Sequence, residues 1–97
     1  MWYLMLSHTD LPPVSAEVAK EALTNHFAFL KRQHPAGKIL FSRSTPDRSR
    51  GFYVIKAGSH NEAVTVAAED PIHTYNVRSA EVIDWEVHQI MGAGFKD

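Results

Sequence analysis

The chain has 97 residues, 44% of them apolar and 22% charged, a formal net charge of −1 and no cysteine. That length holds one core with a high surface-to-volume ratio, and the ordinary globular composition excludes disorder and fibrous repeats. The near-neutral charge, with no basic aromatic-interleaved stripe or helix-turn-helix pattern, excludes nucleic acid as an expected partner; zero cysteine removes disulfides and thiolate chemistry and fits a reducing cytoplasm.

Trp2 to His8 is a run of aromatic and long aliphatic residues with no helix cap before it, and it predicts a first strand. Its apolar start, Met1 to Leu6, is too short for a signal core or a membrane span. Asp10-Leu-Pro-Pro13 is a stiff turn, because two prolines forbid both helix and central strand. Ser15 to His34 then reads as one amphipathic helix. Ser15 is a good N-cap, and Ala19, Ala22, Leu23, His26, Phe27 and Leu30 recur at the spacing of a single buried face. Pro35 and Gly37 stop it. His26 stands in the middle of the apolar face, where an imidazole is either a hydrogen-bonded core group or a site for proton transfer.

Lys38 to Ser42 and Gly51 to Ala57 predict two further strands joined by the polar loop Arg43 to Arg50, in which Pro46-Asp47 initiates a turn. Ser59-His-Asn-Glu62 has the form of a capping box and opens a second helix, with Ala63, Val66, Ala67 and Asp70 on one face. Pro71 closes that helix, since the residue before a proline is driven out of helical geometry. Ile72 to Arg78 is expected to be irregular. From Ala80 to Ile90, Ile83, Trp85 and Val87 alternate with Asp84, Glu86 and His88 as in a half-buried fourth strand. A single domain over 1–90 with a flexible tail over 91–97 is therefore expected.

Strand, helix, strand, strand, helix, strand is the split β-α-β order of the ferredoxin-like α+β fold, with both helices on one face of an antiparallel sheet. The other face would carry several large apolar side chains worth roughly 1.5–3 kcal/mol each when buried, so it needs a cover. A second copy of the chain supplies one, and a two-fold homodimer, or a higher oligomer built on it, is expected.

Two polar residues fall on the helix faces that meet the sheet, His26 and Asp70. A carboxylate bonded to one imidazole nitrogen fixes the tautomer and raises the basicity of the other nitrogen, the arrangement a proton-transfer site uses. The alternative is that Asp70 merely caps the turn before Pro71. His26-Phe-Ala-Phe-Leu30, Gly37-Lys-Ile-Leu40, a Gly-started strand, Glu62-Ala63 opening a helix, Asp70-Pro71 and a closing strand ending in Trp85 together resemble the YCII-related family over about residues 2–88. The resemblance implies a dimeric α+β barrel in which His26 and Asp70 form the active-site pair. It also implies chemistry on small ring compounds, for example dehydrochlorination of a chlorinated hydroxyhydroquinone. Muconolactone isomerases share the barrel and the chain order, and the stretch Glu81 to His88 is faintly similar to theirs. The chain departs from the family pattern at Ser42-Arg-Ser-Thr-Pro46, where members commonly have Gly-Pro, and at Ile72-His73, where they have Phe; both changes touch the expected pocket mouth.

Arg43, nearest a strand end, offers a planar donor for a substrate carboxylate, and Arg48 and Arg50 are weaker candidates. His8, His73 and Tyr75 are candidate lining groups of the same cavity. His34, His60 and His88 have no spacing that pairs them as metal ligands, and there is no phosphate loop, nucleophile elbow or dinucleotide fingerprint, so neither metal nor cofactor is expected. The expected function is a small cofactor-independent lyase- or isomerase-type enzyme acting on a cyclic or aromatic metabolite through His26 and Asp70. A non-catalytic ligand-binding domain and a cofactor-free monooxygenase of the related barrels are the alternatives.

Overall fold

A computed structural model describes residues 1–45, 50–85, 89–90 and 94–95; of residues 41, 43, 89, 90, 94 and 95 only the backbone is described. Its main sheet has four antiparallel strands, β1 (Trp2–His8), β2 (Ile39–Ser44), β3 (Gly51–Lys56) and β4 (Ser79–Trp85), in the order β2-β3-β1-β4. Helix α1 (Ala16–Gln33) connects β1 to β2, and α2 (His60–Ala68) followed by the single turn α3 (Pro71–Thr74) connects β3 to β4. This is the ferredoxin-like α+β order expected from the sequence.

Strand pleating sorts the side chains. In the ladder Tyr3 pairs with Ile55 and Met5 with Tyr53, so these four share one face, and all four are buried in a core cluster with Phe29 of α1 and Ala63, Val66 and Ala67 of α2. Both helices therefore cover the same side. The alternate positions point the other way: Trp2 pairs with Trp85 and Leu4 with Ile83, and Ile83 and Trp85 remain 37% exposed there.

The helix ends follow from their caps. The Ser15 hydroxyl accepts from the Val18 amide at 3.2 Å and the Ser59 hydroxyl from the Glu62 amide at 3.1 Å, while the Glu62 carboxylate reaches back to the Gly58 amide at 3.0 Å. Gly37 takes φ +76, a left-handed turn that redirects the chain into β2 without the strain a side chain would bring.

Three local expectations are corrected. Phe27, placed by its spacing on the buried face, is 46% exposed, and Phe29 is the buried aromatic at 2%. The row that meets the sheet runs Ala22, His26, Phe29, so Leu23, Phe27 and Leu30 form a flank that overhangs a cavity instead. Secondly, the segment expected to be irregular begins with a helical turn. Asp70 caps it by accepting from the Ile72 amide at 3.0 Å, Pro71 occupies the first helical position, and Asn76 at φ 58 follows the turn in the left-handed region. Thirdly, Gln89–Ile90 pairs with Gly94–Phe95 as a two-stranded ladder within what was expected to be strand end and tail. Residues 86–88, 91–93 and 96–97, and the expected turn at Pro46-Asp47, lie outside the described residues.

Candidate active site

Among the described residues Asp70 is the buried charged group of the core, with no exposed surface. Burying a carboxylate is costly unless donors surround it, and three converge here. The Ile72 amide donates to Oδ1 at 3.0 Å, the Tyr53 hydroxyl donates to Oδ2 at 2.9 Å, and His26 Nδ1 lies 2.7 Å from Oδ1 and 2.8 Å from Oδ2. Because the carboxylate accepts, Nδ1 carries the imidazole proton and Nε2 is the nitrogen left for a ligand. The His26 side chain is 17% exposed, so the ring bridges the sealed carboxylate and a solvent-reachable space.

Each contact is fixed by local structure. Asp70 is held by its role as cap of α3, Tyr53 by its alternation with Ile55 on the helix-facing side of β3, and His26 by its place on the row of α1 that meets the sheet. Burial, then the charge of Asp70 and the hydrogen bond to it, push the Tyr53 phenol far above its ordinary range, so Tyr53 stays a donor at any physiological pH. Its ring lies stacked near His26, with centroids 6.5 Å apart.

His26 lines a cavity of about 140 Å³ between α1, the start of β3 and the end of β1. Leu23, Phe27, Leu30, Met5 and Phe52 give it apolar walls, and Ser7, Ser42, Ser44, Arg50 and Arg78 bring polar groups. Ser42 pairs with Tyr53 and Ser44 with Gly51, after an irregularity in the β2 ladder following Ile39 that sets both serines on the cavity side.

The remaining candidates are distributed differently. His73 sits directly behind the cavity wall: its Nδ1 donates to the Ala67 carbonyl at 2.7 Å and its Nε2 lies 3.3 Å from the Ser7 hydroxyl. Burial lowers its proton affinity below the ordinary imidazole range, outweighing the opposite effects of the Ala67 hydrogen bond and the Asp70 charge. Tyr75 is a clasp between α3 and α1, accepting from Asn25 at 3.1 Å and donating to Glu21 at 3.4 Å, outside the cavity. His8 lies at the far end of β1, 2.9 Å from Glu81, on a wide open groove beyond the cavity. Arg43 pairs with Phe52 in the ladder, and its side chain lies outside the described residues. Tyr53, Ser7 and Arg78 were not among the site residues expected from the sequence. For Tyr53 a signal existed: a tyrosine alternating with a core isoleucine needs a buried partner for its hydroxyl.

The depressed affinity of His73 has a measurable consequence. A folded-state value below the ordinary 6.5 means the folded chain binds fewer protons than the unfolded chain as pH falls, so stability is lost from about that pH down to the lowered value. Melting temperatures of the native chain and of His73→Phe should therefore diverge below about pH 6.5, the native chain losing more; parallel curves would exclude this effect.

The fold has clear counterparts among solved structures. The 5-chloro-2-hydroxyhydroquinone dehydrochlorinase from Burkholderia phenoliruptrix AC1100, in complex with 2,5-dihydroxybenzoquinone, superposes with a TM-score of 0.70 at 21% identity, covering 89% of this chain and 94% of that one. A muconolactone isomerase superposes with a TM-score of 0.72 at 15% identity, covering 91% of each chain. At these identities the likeness is one of fold. No curated protein matches the chain by sequence. The model of the YCII-related domain matches residues 1–86, nearly the whole chain, and the protein belongs to that family.

Proposed function

We propose that the protein is a small enzyme that needs no cofactor and moves a proton on a cyclic or aromatic metabolite, with His26 as the base and acid and Asp70 as its orienting partner. The observation that carries this reading is the imidazole on the cavity wall with Nδ1 locked to a sealed carboxylate. In that tautomer Nε2 has a lone pair for an acidic proton of a bound ring. The imidazolium formed on proton uptake is stabilised by Asp70, whose own position is set by Tyr53 and the Ile72 amide. Returning the proton to another carbon completes an isomerisation; delivering it to a leaving group completes an elimination. At about 140 Å³ the cavity is well below the roughly 300 Å³ at which drug-sized pockets begin, which favours a single small ring.

The names of the two structural counterparts agree with this reaction class, one acting on a chlorinated hydroxyhydroquinone and one on a lactone. A screen of hydroxylated quinones and lactones tests the proposal. Turnover of one of them supports it, and saturable binding in the cavity with no turnover of any would replace it by a binding domain. Oxygen-dependent turnover would point to a monooxygenase.

The proposed assembly is a C2 homodimer closed through the outer face of the sheet, where Trp2, Leu4, Ile83 and Trp85 stand side by side. Apolar surface of that extent is costly in water, and obligate interfaces that hide such faces bury about 2,000 Å² or more. Sedimentation at dilute micromolar concentration is expected to give a dimer; a folded species of 10.9 kDa would overturn the assembly.

A further inference from the structure

We infer that Ser7 is the cavity's recognition group for a ring hydroxyl, presenting only acceptor lone pairs to the ligand because its single proton is held by His73. The inference rests on the cavity being the ligand site, as proposed above, and adds which polarity of ligand it selects. The argument starts at the Ala67 carbonyl. A carbonyl can only accept, so the 2.7 Å contact fixes the proton of His73 on Nδ1 and leaves Nε2 bare. The Ser7 hydroxyl, 3.3 Å away, is then the donor to Nε2. Its other neighbour, the Met5 sulfur at 3.6 Å, is also only an acceptor. A thioether sulfur is a weak acceptor beside an imidazole lone pair, so the proton goes to His73 and what Ser7 turns to the cavity is oxygen lone pairs.

Ser7 and His26 line the same cavity, so one ligand spans both. With the His26 proton directed at Asp70, His26 Nε2 likewise presents a lone pair. Arg50, Arg78, Ser42 and Ser44 bring donors elsewhere on the wall, so the selection is local: at the end formed by Ser7 and His26, two acceptors select a compact ring bearing a hydroxyl donor and a second acidic proton. A ligand that turns only acceptor atoms to this end is disfavoured, because it sets lone pairs against lone pairs. His73 is a positioning residue in this arrangement: it acts on the ligand only through Ser7.

Two measurements test it on the intact protein. Heteronuclear NMR of the imidazole nitrogens at neutral pH should show His73 protonated on Nδ1 and bare on Nε2; the reverse tautomer overturns the inference. NMR titration with hydroquinone and with the near-isosteric para-difluorobenzene, which has no donor, gives an affinity ratio for the native chain. That ratio should fall by about three- to tenfold in Ser7→Ala, the effect of one hydrogen bond. It should fall similarly in His73→Phe, which frees the Ser7 proton, while the fold is retained. A ratio unchanged in Ser7→Ala, with both probes still shifting cavity resonances, overturns the role of Ser7 and leaves the cavity as the ligand site. Failure of hydroquinone to shift cavity resonances in the native chain overturns both.

Discussion

Replacing His26 with glutamine is expected to lower turnover of any true substrate by about 10²–10⁴-fold with little change in stability. Glutamine still offers a side-chain N–H to the Asp70 carboxylate, so the buried network keeps a donor at that position, but an amide has no useful proton affinity. The substitution thus separates the chemistry from the architecture. His26→Ala should lose as much activity and also leave Asp70 one donor short, which adds a modest stability cost that cavity water limits, since the ring already reaches solvent at 17% exposure. Steady-state rates at saturating substrate, read beside melting curves, check both. A fully active His26→Gln would exclude proton transfer by this side chain.

The path from sequence to this site shows what periodicity can and cannot carry. The element order and the helix caps follow from short-range rules: Ser15 and Ser59 each satisfy an amide three residues on, as local geometry alone requires. His26 and Asp70 were visible because each interrupts an apolar pattern, and an interruption is a local signal. Tyr53 was not, because the run Phe52-Tyr53-Val54-Ile55 is apolar on both faces and does not say which aromatic points to the helices; the pairing of Met5 with Tyr53 decides it. Phe27 and Phe29 failed for a related reason: both suit a broad apolar face, and the sheet selects the row through Ala22 and His26. Ser7 and His73 lie 66 positions apart in sequence and meet only because β1 and α3 converge at one end of the sheet, which no local rule supplies.

The largest stability effect is expected at Asp70. Asp70→Ala removes the common acceptor of the Tyr53 hydroxyl, the Ile72 amide and His26 Nδ1. An unsatisfied buried donor costs about 1–3 kcal/mol, and the Tyr53 and Ile72 donors lie inside the core with no alternative partner created by the substitution. A loss of about 3 kcal/mol or more follows, a large share of the roughly 5–15 kcal/mol that holds a domain together. For a chain of this size it corresponds to a fall in Tm on the order of 15 °C, read at fixed protein concentration because dimerisation would make Tm concentration-dependent. Asp70→Asn should behave differently. Its oxygen can still accept from the Ile72 amide, and its amide can donate to the Tyr53 oxygen, though the Tyr53 hydroxyl proton loses its acceptor, so part of the stability is kept. Its remaining N–H, however, faces His26 Nδ1 and drives the imidazole proton to Nε2, closing the lone pair that would take the substrate proton. Activity should therefore drop about as far as in His26→Gln, on the order of 10²–10⁴-fold, with a smaller change in Tm than in Asp70→Ala. An Asp70→Asn variant that is both stable and fully active would show that the carboxylate caps α3 and nothing more; one as unstable as Asp70→Ala would show that the network requires the charge itself.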